Sequence, residues 1–290
     1  MRLALMIEGQ EGVSWEDWLA LARACEEHGI EALFRSDHYL SPTDPERDAL
    51  DAWAVIPALA ALTERLEFGT LVSPVTFRPA AVLANASATA NEIAAGRISL
   101  GMGTGWMEAE HEAFGFPFPE MKTRLAWLEE QIQDVRRYWD GRPHPHLIVG
   151  GSGLSGTVVP AAKWADEYNT IFATPEECAQ RREKLARACE REGRAPIPFS
   201  LMTACAIGRT PEEARERIRR RLERYNQTVD PDEYKASRET AAVLGTLDEA
   251  AEQLRAYERA GVERVMLQHL DHRDLEMVAL IGRELAPAVA

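Results

Sequence analysis

The sequence predicts a closed (β/α)8 barrel, a TIM barrel, occupying residues 1–290 as one domain. Three observations predict it. Eight strand-like apolar runs alternate with helix-like stretches, no Pro/Ser/Gly-rich linker divides the chain, and two helix-to-strand junctions are nearly the same phrase, "EEHGIEALF" and "ERAGVERVML". Alternation of that kind argues for parallel pairing. At 290 residues the chain also has the length of a barrel, which typically needs about 250. An open dinucleotide-binding sheet would want G-x-G-x-x-G after the first strand, and "IEGQEGVSW" lacks that spacing.

In order, the strands are expected near residues 3–8, 31–36, 66–73, 97–103, 146–150, 167–172, 199–207 and 263–268. Helix starts are signalled by polar caps followed three positions on by an acid. Ser14 stands before Glu16-Asp17, Thr174 before Pro175-Glu176-Glu177, Thr210 before Pro211-Glu212-Glu213, and Thr246 before Leu247-Asp248-Glu249. Trp15, Trp18, Leu19, Ala22 and Cys25 then keep helical spacing until Gly29. Three connections exceed a minimal barrel: residues 38–47 after strand two, 104–121 after strand four, and the irregular stretch from Asn226 to Leu244 before the last strand. Length in loops after strands points to function, because those loops build the active face of such barrels. The arginine-rich run from Arg215 to Arg224 reads as a solvated, salt-bridged helix face.

Composition narrows the partners. With 33 basic against 47 acidic residues the net charge is −14, which disfavours nucleic acid and anionic membranes. No run of about 18 uncharged apolar residues is present, so neither a membrane span nor a signal peptide is expected. Cys25, Cys178, Cys189 and Cys205 lie far apart without a C-x-x-C pair, the pattern of a reduced cytoplasm. His144 and His146 precede strand five, on the stability face, and carry no metal assignment.

The strand ends collect a short list of polar and glycine residues. "VGGSG" at 149–153 offers backbone N–H groups and the Ser152 hydroxyl to a phosphate, with a helix expected near Ser155. A tight turn explains one or two glycines there but not the run. Gly103-Thr104-Gly105 is a second candidate for the same task, and Trp106 is placed to stack on a ring or plug the mouth. Asp37-His38 ends strand two, and a histidine there can exchange protons near neutral pH. Trp53, Trp106, Phe114 and Phe116 suggest an apolar or conjugated small molecule as substrate.

Residues 70–118, "TLVSPVTFRPAAVLANASATANEIAAGRISLGMGTGWMEAEHEAFGFPF", resemble the signature core of the luciferase-like monooxygenase superfamily. They are most similar to its branch that uses the deazaflavin coenzyme F420. "SDH" at 36–38, "VGGSG" at 149–153 and "VLGTLDEAAEQLRAYERAGVERVML" at 243–267 fit the same family, so the resemblance runs over essentially the whole chain. It implies a homodimeric barrel with a flavin-type ring in its mouth and a non-proline cis peptide at the end of strand three, here near Leu71-Val72. It also implies a cofactor lined by Leu71, Val72, Ser73, Gly103, Thr104, Gly105, Trp106 and Gly153, with phosphate held by Gly150, Gly151 and Ser152. His38 would exchange the proton coupled to hydride transfer, Asp37 would fix its orientation, and Glu8 or Glu108 are lesser candidates. Members that oxidise a sugar phosphate carry an acid where Trp106 stands and use placed lysines; this chain has four lysines. FMN serving a monooxygenase in the same slot is the alternative cofactor. A barrel that only stores or senses the cofactor is the non-catalytic reading, and the Asp37-His38 pair argues against it.

Overall fold

Strand β1 (Arg2–Ile7) shows how alternation builds the barrel in the computed structural model, which describes residues 1–152, 156–238 and 241–290. Ala4 and Met6 face the lumen, in one cluster with Phe34, Leu71, Ile148, Met202 and Met266. Leu3, Leu5 and Ile7 face outward and pack into the layer shared with the helices. Each such side chain taken from water stabilises the fold by roughly 1.5–3 kcal/mol.

The other staves are β2 (Ala32–Arg35), β3 (Glu67–Thr70) with its two-residue continuation β4 (Ser73–Pro74), β5 (Ile98–Gly103), β6 (His146–Gly150), β7 (Glu167–Ile171), β8 (Phe199–Gly208) and β10 (Arg264–Gln268). All pair in parallel, and β8 against β10 closes the ring in the register Arg264↔Ser200 to Gln268↔Ala204. Eight staves in that order place β5 across the lumen from β10, and β6 across from β1. That opposition decides which groups face each other at the mouth.

The helices follow the staves. They are α1 (Trp15–His28), α2 (Ala52–Ala60), α3 (Ala80–Ile93), α4 (Glu108–Phe114), α5 (Met121–Trp139), α6 (Val158–Trp164) and α7 (Pro175–Arg191), then α8 (Pro211–Arg224), α9 (Pro231–Arg238), α10 (Leu247–Arg259) and α11 (Leu275–Leu280). Ser14, Thr174 and Thr246 make reciprocal caps with Asp17, Glu177 and Glu249. Thr210 also caps its helix, but the Glu213 carboxylate accepts the Arg209 N–H instead of returning to Thr210. Each cap contributes about 1 kcal/mol.

Three features differ from expectation. The stretch 104–121 contains a helix, α4, stopped by Gly115 at φ 70°. The stretch before the last strand contains α9 and an extra strand, β9 (Val243–Thr246). Strand β8 pairs with β10 as far as Ala204, then leaves the ring and pairs with β9 through Cys205–Gly208. A small core of Ala204, Ala206, Ile218, Leu222, Ala242 and Leu244 fills this wing. The helix start expected near Ser155 falls outside the described residues, and helix α6 is described from Val158. Among the described residues no helix is long and apolar enough to cross a membrane. The four cysteines are free and buried, and burial pushes the Cys178 and Cys205 thiols up to about 12.

Candidate active site

A cavity of about 660 Å³ opens at the C-terminal ends of the staves. Leu71 and Val72 project into it beside the cis peptide that joins them. The β5 end contributes Gly103, Thr104, Gly105 and Trp106, and the β6 end contributes Gly150, Gly151 and Ser152. Gly153 lies outside the described residues.

The glycines have a reason the sequence did not reveal. A Cβ on Gly103 would stand 2.5 Å from Val72 Cγ2, and one on Gly150 would stand 2.8 Å from Val72 Cγ1. A Cβ on Gly101 would overlap the Thr70 carbonyl oxygen. These three positions are therefore empty of side chain first of all to seat the 70–72 segment. The Gly151 N–H is likewise occupied, donating to the Asn169 carbonyl at 3.0 Å. Among the described glycines only Gly105 combines a cavity position with a backbone, φ 73°, that other residues rarely adopt.

His38 enters from the loop after β2, and its two nitrogens are held differently. Nδ1 lies 2.7 Å from Glu110 Oε2. Glu110, fully buried on α4, also accepts the backbone N–H groups of Tyr39 and of Leu40, the latter at 3.1 Å. Nε2 accepts the Trp106 indole N–H at 3.2 Å, with the two rings edge to face. This contact assigns the resting proton to Nδ1. Burial pulls the imidazole pKa down, but the Glu110 hydrogen bond and the charges of Glu110, Glu8 and Asp37 outweigh it, so the net shift is upward. The imidazolium thus persists to higher pH than in a free histidine. Exchanging Glu110 for glutamine removes the largest raising contribution, so the inflection of the pH–rate profile assigned to His38 is expected to move to lower pH. An unmoved inflection would detach Glu110 from that role.

The carboxylate on His38 is therefore Glu110, and the expectation for Asp37 is corrected. Asp37 accepts Ser73 Oγ at 2.6 Å and Arg78 Nη1 at 2.6 Å, behind the cavity wall. Burial works against the Arg78 charge, but Asp37 and Asp51 hold it protonated. Ser73 is turned away from the cavity with Asp37 and accepts the Trp53 indole N–H at 3.1 Å. Trp53, Phe114 and Phe116 do not line the cavity; the two phenylalanines pack with Tyr39 and Phe77. Glu8 does line it, while Glu108 is exposed on α4.

A closed barrel whose strand-end rim encloses a glycine-walled cavity and a carboxylate-paired histidine has the layout of the (β/α)8 enzymes, which carry their sites at that face. The chain belongs to the luciferase-like monooxygenase family, whose model matches residues 2–264. A Rhodococcus hoagii (strain 103S) protein named F420-dependent glucose-6-phosphate dehydrogenase is 27% identical over 316 residues, covering 93% of each chain. A protein of the same name from Amycolatopsis mediterranei (strain U-32) is 38% identical over 124 residues, covering 42% of this chain and 37% of that relative. The monooxygenase RslO1 from Streptomyces bottropensis shares the fold with a TM-score of 0.84 at 20% identity, covering 100% of both chains.

Proposed function

We propose that the chain is an oxidoreductase that moves a hydride between coenzyme F420 and a small organic molecule in the barrel mouth. One observation carries the chemistry: His38 Nε2 faces the cavity while a buried carboxylate grips Nδ1. The names of the Rhodococcus and Amycolatopsis relatives support the choice of cofactor.

The residues present fit a deazaflavin ring. Asn169 is buried at the cavity wall and donates to Ser200 Oγ and Met266 Sδ, yet its Oδ1 has no hydrogen-bond partner among the described residues. An orphaned acceptor of this kind costs about 1–3 kcal/mol, and the imide N–H of such a ring is a donor that relieves it. We assign the cofactor wall to Leu71, Val72, Gly103, Thr104, Gly105, Trp106, Gly150, Gly151 and Ser152. Bound there, coenzyme F420 supplies hydride exchange at a ring carbon.

The chain supplies position and proton traffic. A substrate hydroxyl or amine reaching His38 Nε2 displaces the Trp106 N–H. When the neighbouring carbon gives up its hydride, Nε2 accepts the proton released by the heteroatom; in the reductive direction Nε2 returns it. Glu110 stabilises the imidazolium formed. Asp37 and Ser73 brace the loop through Arg78 rather than touching the ligand. Met6, Phe172, Met202 and Leu222 give the cavity an apolar side suited to an apolar or conjugated substrate body.

Titration of the protein with F420 and with FMN tests the assignment. F420 is expected to bind at least about tenfold more tightly; FMN binding tenfold more tightly would select the monooxygenase instead. We place the protein in a reducing cytoplasm as a homodimer, supported by its free buried thiols and by Leu62, Val82 and Ile93, exposed on the α2–α3 side. Light scattering that returns a monomer would remove the dimer.

A further inference from the structure

The arginine-rich helix α8 does not present one solvated face. Arg215 and Arg219 are exposed and paired with acids. Arg217 and Arg221 lie instead in the buried stripe with Ala214, Ile218 and Leu222. The buried arginines divide: Arg217 meets Asp274 at 2.7 Å and Arg264 meets Glu167 at 2.5 Å, as the half-buried Arg78 meets Asp37, whereas Arg35, Arg124 and Arg221 meet no carboxylate among the described residues, and of these three Arg221 alone lines the cavity. Arg221 is 6% exposed, lines the cavity, and has no carboxylate within 4.0 Å among the described residues.

Its guanidinium donates to one neutral residue, to Gln268 Oε1 at 2.6 Å and to the Gln268 carbonyl at 3.1 Å. Gln268 in turn donates to Glu8 Oε1 at 2.6 Å, and Gln10 donates to Glu8 Oε2 at 3.1 Å. Glu8 is thus held by amides, with Gln268 between it and Arg221. Tyr225, one turn on, also lines the cavity, and its hydroxyl makes no hydrogen bond among the described residues. Burial and the Glu8 charge raise its pKa against the pull of Arg221, so it keeps its proton and remains a donor.

This wall stands across the lumen from the glycine rim, since β10 and β1 face β5 and β6. Among the described residues that line the cavity, Arg221 is the single permanent cation. A buried guanidinium that touches no carboxylate directly keeps its fork open to an anion, and a forked donor beside a free hydroxyl matches a carboxylate or phosphate. We propose that Arg221 and Tyr225 form an anion subsite for the substrate, which carries its carboxylate or phosphate at the end remote from the glycine rim. The inference rests on the hydride-transfer reading for the identity of the remaining substrate; the anion site itself is readable without the cofactor.

The cofactor's own phosphate is the other source of such an anion, and calorimetric titration separates the two. Benzoate and its neutral isostere benzamide are titrated into the protein with and without F420. Wild type is expected to prefer benzoate by about tenfold or more in both forms. Arg221→Gln is expected to reduce that preference to about twofold or less, and Tyr225→Phe to reduce it several-fold, with F420 affinity held within about threefold. Equal binding of benzoate and benzamide by wild type would overturn the subsite. So would an Arg221→Gln protein that loses F420 affinity as much as benzoate affinity, because the anion would then belong to the cofactor. If Arg221→Gln does not fold, Tyr225→Phe decides, and full retention of the preference there overturns the two-residue site. Persistence of the preference in a protein that binds no F420 would sink the hydride-transfer reading and leave the subsite standing.

Discussion

Exchanging His38 for alanine is expected to lower turnover about 10²–10⁴-fold, with F420 affinity unchanged within a few-fold. The size follows from its position. Its Nε2 is the proton-exchanging atom at the cavity, and its Nδ1 is fixed by a carboxylate that also accepts two backbone N–H groups. Removing the ring takes away the proton acceptor but leaves the glycine rim and the 70–72 segment intact. Steady-state rates together with cofactor titration check both halves. Turnover retained within threefold would remove His38 from the reaction, and a matching loss of cofactor affinity would make it a binding residue instead.

The second large effect is expected at the β5 glycines. Gly103→Ala places a methyl group 2.5 Å from Val72 Cγ2, and overpacking of this kind typically costs about 1–3 kcal/mol. Cofactor affinity should fall with it, because the displaced Val72 lines the cavity. A side chain can be trimmed, so adding Val72→Ala should restore at least half of the lost stability. Gly101→Ala meets the Thr70 carbonyl, which is backbone and has no trimmed form. The same Val72→Ala change should therefore leave Gly101→Ala largely unrescued. Denaturant melts of the two single and two double variants make the comparison. Equal rescue at both positions would refute the steric assignment.

Much of the barrel was legible because its signals are local. A short continuous apolar run, as in Leu3 to Ile7, marks a stave buried on both faces within six residues, and Ser14, Thr174 and Thr246 announce helices within four. The cavity wall was legible for a related reason, since glycine runs at strand ends mark close approach of backbone. What they approach was not legible: Gly103 and Gly150 make room for Val72, a side chain from a different strand end. Glu110 was hidden by distance and by type. It sits 72 residues from His38, on a helix short enough to read as loop, while Asp37 offered itself as the adjacent acid. Arg221 did leave a trace. Arg217 and Arg221 repeat the four-residue spacing of Ala214, Ile218 and Leu222, which places them in the apolar stripe. A reading by charge content alone passes over that spacing.

The departure of β8 from the ring has one more consequence. Arg221 and Tyr225 ride on a helix seated against β9 by Ile218, Leu222 and Leu244, a cluster distinct from the lumen packing around Met6 and Ile148. The wall opposite the glycine rim is thus an outrigger with its own ballast. Repacking Ile218 or Leu244 would tilt the guanidinium by small amounts while the hull that seats the redox ring keeps its shape, so selectivity for the molecule turned over can be retuned apart from the chemistry.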